Sequence, residues 1–289
     1  MRSIAYQLAA TAAALALCGP CPAANPSLER GPAAPQRVMS LNACTDVLAL
    51  RLLPPERILS VTFLTHQSRD PELRALAASV GSNRGTAEEV LLARPDLVLA
   101  GTYTTPAARM ILARVAIPTV TVPPANDFAA IRTVTRAVAR ALGAQSRAEA
   151  LLGRMDAQLE TLARALPQSR LRVAAWDGGG SIPGRNSLFN AILTAAGAIN
   201  IATAAGAETS RFDVEDLLAA RPNLLLYGDS AADGPSLRDL QTQHPIVRRL
   251  YARRTLIYPE SLYSCGEPGS ADAAWKLRLA LSAASAHQE

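Results

Sequence analysis

The chain has 289 residues, of which 49% are apolar and 18% are charged, a balance typical of a folded globular protein rather than a disordered one. Its length allows two domains of ordinary size. The net charge of +5 is spread without a dense basic run, which argues against a nucleic-acid-binding function.

The chain begins with a segment typical of an export signal. Arg2 supplies a positive charge, residues 8–17 are apolar, and a pair of small alanines follows. The apolar run is too short to span a bilayer. We interpret residues 1–24 as a cleaved signal peptide. A lipid anchor at Cys18 is the less favoured alternative, because Leu17 stands where a small residue normally precedes such a cysteine.

Residues 37–122 alternate between apolar strand patterns and helical patterns with short connections. This rhythm predicts a parallel sheet that is covered by helices on both faces. Asn42 or Thr45 is expected to cap the first helix. Strands are predicted at 37–41, 58–63, 97–100 and 119–122. A first helix is predicted to end at 53, a second to span 73–78, a third to begin after Thr86 and a fourth to span 107–115. Loops are predicted at 64–71 and 80–85.

Two distant stretches of the chain are nearly identical. Residues 86–101 read TAEEVLLARPDLVLAG, and residues 213–228, offset by 127 positions, read DVEDLLAARPNLLLYG. Each copy is long enough for a helix, a turn and a strand, and the first opens with a capping-box pattern of Thr86 and Glu89. Two such copies predict two similar lobes with a cleft between them.

The stretch between the two copies has a different pattern. Residues 128–142 and 147–166 show two long helical patterns with no strand between them, and Ser146 is expected to cap the second. We expect this second helix to join the lobes as a rigid strut. The elements predicted beyond it are strands at 172–176, 224–227 and 255–258, helices at 187–196 and 236–250, loops at 177–184 and 259–269, and a last helix that starts at Ser270 or Asp272.

The predicted fold class is therefore α/β, with two Rossmann-like lobes that contain mainly parallel sheets and are joined by one long rigid helix. The ligand cleft is expected between the lobes. The predicted boundaries are 36–145 for the N-terminal lobe, 146–168 for the connecting helix and 170–286 for the C-terminal lobe.

Two of the four cysteines, Cys44 and Cys265, remain after signal cleavage. In an oxidising compartment two remaining thiols most often pair, so a disulfide between the lobes is one interpretation. The alternatives are two unpaired structural thiols, or a thiol pair that contacts a metal or its chelate together with His66.

Patterns typical of enzymes are weak in this chain. The glycine run at 178–180 lacks the Lys-Ser/Thr of a phosphate-binding loop and the glycine spacing of a dinucleotide fold. A nucleophilic Cys44 with His66 as its general base is the enzymatic alternative. We predict a binding protein rather than an enzyme.

Glu88 and Glu215 occupy the same place in the first helical turn of the two copies. A carboxylate there interacts well with the helix dipole, so helix stabilisation alone would explain both residues. The other interpretation is a matched acidic pair, one per lobe, that meets a two-fold symmetric partner offering the same basic socket twice.

The order of a strand, Asn42-Ala-Cys-Thr-Asp and a helix, then the duplicated Glu…Arg-Pro-[Asp/Asn]-Leu segment around a long helix, resembles the periplasmic binding proteins of cobalamin and iron-siderophore ABC importers. The resemblance covers about residues 36–285. It implies a periplasmic, two-lobed receptor with a shallow cleft and without a cofactor. It also implies that Glu88 and Glu215 dock on the permease dimer in the inner membrane.

Loops at the predicted strand ends carry the candidate ligand-binding residues. A bulky chelate needs flat aromatic or aliphatic walls and a few hydrogen-bond donors. The resemblance implies that Arg84 and Tyr103 contact a siderophore, whereas cobalamin binders line the cleft with several tryptophans, of which Trp176 alone is available here. The alternative for Trp176 is a core residue at the end of its strand. The candidate set is Asn42, Phe63, His66, Arg84, Tyr103, Trp176, Arg185, Phe212 and Tyr263.

We therefore predict a monomeric solute-binding protein that captures an iron-siderophore in the periplasm and delivers it to an ABC permease. Cobalamin is the alternative ligand. A metal-chelate scavenger or chaperone that works without an importer is the alternative role. No resident metal and no nucleic-acid partner are expected.

Overall fold

A computed structural model describes residues 34–114, 116–165, 171–176, 181–205, 209–228 and 244–286. The predicted signal peptide, residues 177–180 of the predicted loop at 177–184 and residues 236–243 of the predicted 236–250 helix lie outside the described residues. Within them, no helix combines the length and the apolar character that a membrane span requires.

The N-terminal lobe contains five parallel strands and seven helical segments. The strands are β1 (Val38–Ser40), β2 (Ile58–Thr62), β3 (Gly81–Asn83), β4 (Leu97–Gly101) and β5 (Thr119–Val122). They pair in the order β3-β2-β1-β4-β5. This order is doubly wound: β2 and β3 are added on one side of β1, and β4 and β5 are added on the other side, while all five strands stay parallel. The helices are α1 (Ala43–Leu52), a 3-10 turn (Pro55–Arg57), α2 (Phe63–His66), α3 (Pro71–Ala77), α4 (Ala87–Ala93), α5 (Pro106–Arg114) and α6 (Phe128–Leu142).

The C-terminal lobe repeats this arrangement after the long helix α7 (Gln145–Arg164). Its strands are β6 (Arg172–Ala175), β7 (Ser181–Pro183), β8 (Ile199–Asn200), β9 (Thr209–Arg211), β10 (Leu224–Tyr227) and β11 (Thr255–Ile257). The order β11-β10-β6-β8 is parallel, and β7 pairs with β9 in an antiparallel ribbon. The helices are α8 (Leu188–Ala195), a 3-10 turn (Ile201–Ala205), α9 (Val214–Ala220), α10 (Pro245–Tyr251), α11 (Ser261–Ser264) and α12 (Ser270–Ala286).

The predicted fold class, two α/β lobes with mainly parallel sheets, is confirmed. The two copies of the sequence repeat have the same local geometry. Each opens with a complete capping box and ends its helix at an arginine in the left-handed region, Arg94 with φ 48° and Arg221 with φ 47°. A non-glycine residue in that region is uncommon, so the match shows that the two turns are equivalent.

The third residue of each Arg-Pro-[Asp/Asn] turn binds the strand that lies beside it. The Asp96 carboxylate accepts the backbone N–H of Arg37 at 3.0 Å, and Asn223 Oδ1 accepts the backbone N–H of Arg172 at 2.8 Å. In return, Arg37 and Arg172 donate from their guanidinium groups to the last carbonyl of α4 at 2.7 Å and of α9 at 2.9 Å. The repeat is therefore a structural unit that joins a helix end to two neighbouring strands.

Five local predictions were wrong. In the C-terminal lobe, the predicted loop at 177–184 contains β7 and the predicted loop at 259–269 contains α11. The predicted loop at 80–85 contains β3, where strand pairing is so close that a Cβ on Gly81 would lie 2.5 Å from the carbonyl oxygen of Leu59. The predicted loop at 64–71 contains most of α2. Ser146 is not the cap of α7, because the connection after α6 is only Gly143 and Ala144, and Ser146 already lies inside the first turn.

The two lobes share one hydrophobic core. Separate clusters cover the outer faces of the sheets, but the largest cluster runs from Leu48 in α1 through Leu152 and Met155 in α7 to Phe189 in α8 and Leu277 in α12. A close-packed interior resists deformation, so this continuous core limits the motion of one lobe against the other.

Arg278 on α12 fastens the end of the connecting helix to the C-terminal lobe. Its side chain is buried, and the residue is 7% exposed. The guanidinium donates to the carbonyls of Leu162 and Ala165 at the end of α7, and to those of Ala195 and Ala196 at the end of α8. These carbonyls have no partner within their own helices, so one arginine satisfies two helix ends.

We predict that Arg278→Met lowers the free energy of unfolding by about 3 kcal/mol, because buried carbonyls at two helix ends lose their donor. Urea unfolding followed by circular dichroism measures this change. The matched control is Arg249→Met on the exposed face of α10, where we expect a change below about 0.5 kcal/mol. Equal stability of the two variants would contradict the role of Arg278.

Candidate ligand-binding cleft

The carboxyl edge of the N-terminal sheet holds four of the predicted ligand residues. Asn42, Phe63, Arg84 and Tyr103 follow β1, β2, β3 and β4, respectively. Because the strand order reverses between β1 and β4, this edge forms the crevice in which open α/β sheets hold ligands. The strands β3 and β4 are three positions apart, so the backbones that carry Arg84 and Tyr103 are about 14 Å apart.

Tyr103 lies at the tip of a turn that is held by hydrogen bonds, and the residue is 82% exposed. The backbone N–H of Thr104 donates to the Gly101 carbonyl at 3.0 Å, and the Gly101 N–H donates to Thr104 Oγ1 at 3.0 Å. The Thr102 N–H donates to the carbonyl of Val122 at 3.2 Å. The turn thus presents an aromatic ring to solvent from a fixed backbone.

Asn42 forms the floor between β1 and β4. Its Oδ1 accepts the backbone N–H of Cys44 at 3.0 Å, so Asn42 is the predicted cap of α1. Its amide packs against Gly101 so closely that a Cβ there would lie 2.6 Å from Asn42 Cγ. Only glycine fits opposite this side chain, and the two residues together shape the crevice.

Arg84 is anchored through its backbone, while the residue itself is exposed. The buried side chain of Asn83 donates to the Ser40 carbonyl at 2.9 Å and to Ser60 Oγ at 2.8 Å, which ties the end of β3 to β1 and β2. The Arg84 N–H donates to the Glu89 carboxylate at 2.9 Å. This carboxylate also completes the capping box of α4, so Arg84 and α4 are held by one group.

The turn that carries Phe63 and His66 is held by a buried aspartate. The Asp46 carboxylate accepts the hydroxyls of Thr62 at 2.5 Å and Thr65 at 2.7 Å, and burial raises the pKa of this carboxyl. Phe63 is left 39% exposed at the rim. His66 Nε2 lies 3.2 Å from the carbonyl oxygen of the first residue of β3, which holds the imidazole against the sheet edge.

Two predicted ligand residues of the C-terminal lobe, Trp176 and Phe212, lie in its hydrophobic core, which for Trp176 is the alternative drawn from the sequence. Trp176 is 1% exposed and Phe212 is 6% exposed, and both pack with Leu217 and Leu225 beneath α9 and α10. The Trp176 N–H donates to the Leu226 carbonyl at 2.8 Å and continues the strand ladder, and the side chain packs with Val247 and Tyr251 of α10. Phe212 directly precedes Asp213, the cap of α9, a position that commonly anchors a helix start through apolar contact.

The other two predicted residues of this lobe are more accessible. The Tyr263 ring is half-buried, stacks on Tyr258 at 5.8 Å and meets Phe189 edge-on at 5.3 Å. Arg185 is exposed and donates to the Thr203 carbonyl at 3.2 Å. Their roles toward a ligand stay predictions, because much of the loops after β6, β8 and β10 lies outside the described residues.

Cys44 and Cys265 form a disulfide, which is one of the three alternatives drawn from the sequence. The bond joins the first turn of α1 in the N-terminal lobe to the residue after α11 in the C-terminal lobe. The next residue, Gly266, lies against the opposite lobe so closely that a Cβ would be 2.0 Å from the Ala125 carbonyl oxygen. Covalent and van der Waals contacts therefore hold the lobes together at one side of the cleft.

A cavity of about 510 Å³ lies elsewhere, beside the C-terminal end of α1. Charges of both signs line it, including Arg51, Arg154, Glu72 and Glu267. Burial raises the pKa of the Glu267 carboxyl, and Arg51 Nε, 3.8 Å away, acts against that shift. These walls do not suit a flat chelate, and the described part of the chain contains no cluster of three or more acidic, His or Cys side chains that could hold a metal ion.

We predict that reduction of the disulfide destabilises the protein by about 5 kcal/mol, because the bond closes a very long loop in the unfolded chain. Urea unfolding with and without dithiothreitol measures the effect. The double variant Cys44→Ser with Cys265→Ser should match the reduced wild type and should not respond to the reductant. A wild-type protein that unfolds at the same urea concentration in both states would refute this.

Two parallel-sheet lobes with a crevice at their strand ends and a stiff helix between them define a two-lobed solute-binding protein. A family model described as periplasmic binding protein matches residues 57–255, which is more than half of the chain. The chain belongs to this family. No curated protein matches the sequence significantly.

Solved structures agree with this assignment. The periplasmic heme-binding protein RhuT from Roseiflexus sp. RS-1 is 25% identical with a TM-score of 0.71, over 86% of this chain and 98% of RhuT. An ABC-type Fe3+-hydroxamate transport protein from Saccharomonospora viridis is 19% identical with a TM-score of 0.66, over 84% and 92%. The vitamin B12-binding protein BtuF of Vibrio cholerae is 16% identical with a TM-score of 0.63, over 87% and 98%. The resemblance to receptors of metal-chelate importers is thus confirmed.

Proposed function

We propose that this protein captures a ferric siderophore in the periplasm and delivers it to the permease dimer of an ABC importer. The observation that carries the receptor role is the pair Glu88 and Glu215. Both residues are exposed in the first turn of equivalent helices, one in each lobe. A partner with two identical basic sockets would bind both at once.

The accessible side chains at the N-terminal crevice favour a siderophore as the ligand. Arg84 offers several N–H donors to an oxygen-rich chelate, and Tyr103 adds a flat ring with one hydroxyl. Cobalamin would need aromatic walls, and Trp176, the candidate for such a wall, is buried in the core. Heme is a second candidate, because RhuT, at 25% identity, is a heme-binding protein.

The mechanism we infer is capture without covalent chemistry. Braced loops hold the contact residues, and the shared core keeps the lobes at a nearly constant distance. Binding to a preformed crevice costs less conformational entropy than binding that must first order the site. Delivery then depends on docking, because the cleft itself has little freedom to open.

Calorimetric titration with a ferric hydroxamate, a ferric catecholate, cyanocobalamin and hemin tests the ligand. We expect one ferric siderophore per chain, and affinity at least about ten-fold weaker for Tyr103→Ala and for Arg84→Ala. The control Arg249→Ala removes an exposed arginine far from the crevice and should bind like the wild type. Tight binding of hemin or cyanocobalamin without any siderophore would replace this ligand assignment.

The variant Glu88→Lys with Glu215→Lys tests docking. We expect uptake into proteoliposomes that contain the importer to be lost, because two attractive contacts become repulsive, while ligand affinity stays unchanged. The control Glu56→Lys with Glu160→Lys makes the same change in net charge at exposed positions away from α4 and α9. Transport that survives the first double change would contradict docking through these two glutamates.

A further inference from the structure

The face of α4 beside Glu88 is apolar. Ala87 and Val90 lie on the inner face of this helix and are buried. Leu91 and Leu92 lie on its outer side, where Leu91 is 41% exposed and Leu92 is 84% exposed. Leu92 follows Glu88 by one helical turn, so their Cβ atoms are about 5–6 Å apart on the same face. Single exposed leucines are common on protein surfaces, but an adjacent pair beside a candidate docking charge has the composition of an interface core.

The equivalent helix of the C-terminal lobe lacks this feature. Glu215 corresponds to Glu88, but Leu218 packs partly into the outer core of its lobe, and the exposed residue one turn after Glu215 is Ala219. The two copies match in their capping boxes and in their left-handed arginines. Among their exposed apolar residues, the two helices differ at this position, where Leu92 of α4 corresponds to Ala219 of α9.

We propose that Leu92, supported by Leu91, is an apolar contact of the docking surface and packs into a depression beside the basic socket of one permease subunit. This inference rests on the proposed function, in which Glu88 and Glu215 meet two identical subunits. The acidic charge at each contact calls for a basic socket, and the repeated geometry calls for a partner that offers this socket twice.

An identical second subunit carries the same depression opposite Ala219, whose methyl group leaves it mostly unfilled. The two lobes then bind with unequal strength, and the N-terminal lobe contributes the larger share. The glutamates govern the rate of association and the orientation, and Leu92 governs how long the complex lasts.

Surface plasmon resonance against the permease dimer in lipid nanodiscs tests the first part. We expect Leu92→Ala to weaken docking about ten-fold, mainly through faster dissociation. The ratio should be the same at low and high salt, since salt screens charges but not apolar contacts. The control Leu279→Ala, at a residue 54% exposed on α12, should dock like the wild type.

Ala219→Leu tests the second part and should strengthen docking several-fold, because the new side chain fills the second depression. Both variants change exposed helix positions, so their folding is not at risk. If Leu92→Ala docks like the wild type while Glu88→Lys with Glu215→Lys still abolishes docking, this inference is overturned and the proposed function stands. If the double charge reversal has no effect, the proposed function itself fails.

Discussion

The fold depends on guanidinium groups that bind the free carbonyls at helix C-termini. An α-helix leaves its last four carbonyls without intrahelical partners, and a two-lobed α/β protein contains many such ends. Here arginines from other parts of the chain bind them, and each contact joins a helix end to a strand, a turn or another helix. The contacts are Arg37 to α4, Arg57 to α6, Arg147 to α1, Arg172 to α9 and Arg278 to α7 and α8.

These contacts suit arginine rather than lysine. Lys276 is the only lysine among the 29 basic residues. A guanidinium has five donors in a planar fork and is weakly hydrated, so it can reach several carbonyls at once from a partly buried position, whereas an ammonium group cannot. Arg278, which binds the ends of two helices, shows the difference most clearly.

The sequence predicted the features that depend on local spacing. The capping boxes, the α4 and α9 positions of Glu88 and Glu215, and the parallel lobes all follow from patterns within about fifteen residues. The burial of residues that depend on distant contacts did not follow from such patterns. Trp176 follows a strand, but its packing under α10 depends on which sheet face a helix covers, and the buried Asp46 gave no signal within an apolar helix.

These contacts also decide what kind of receptor the molecule can be. Tyr103 and Arg84 stand on loops whose backbones are bonded in place, and α7 lies within a core that both lobes share. The disulfide adds a covalent bond between the two lobes. In the proposed function, a cleft held this way selects its ligand by fit to a nearly fixed shape, and docking on the permease does not depend on a large closure of the lobes. Arg84 and α4 share the carboxylate of Glu89, and that shared group connects the crevice directly to the helix that carries Glu88, the residue proposed to dock.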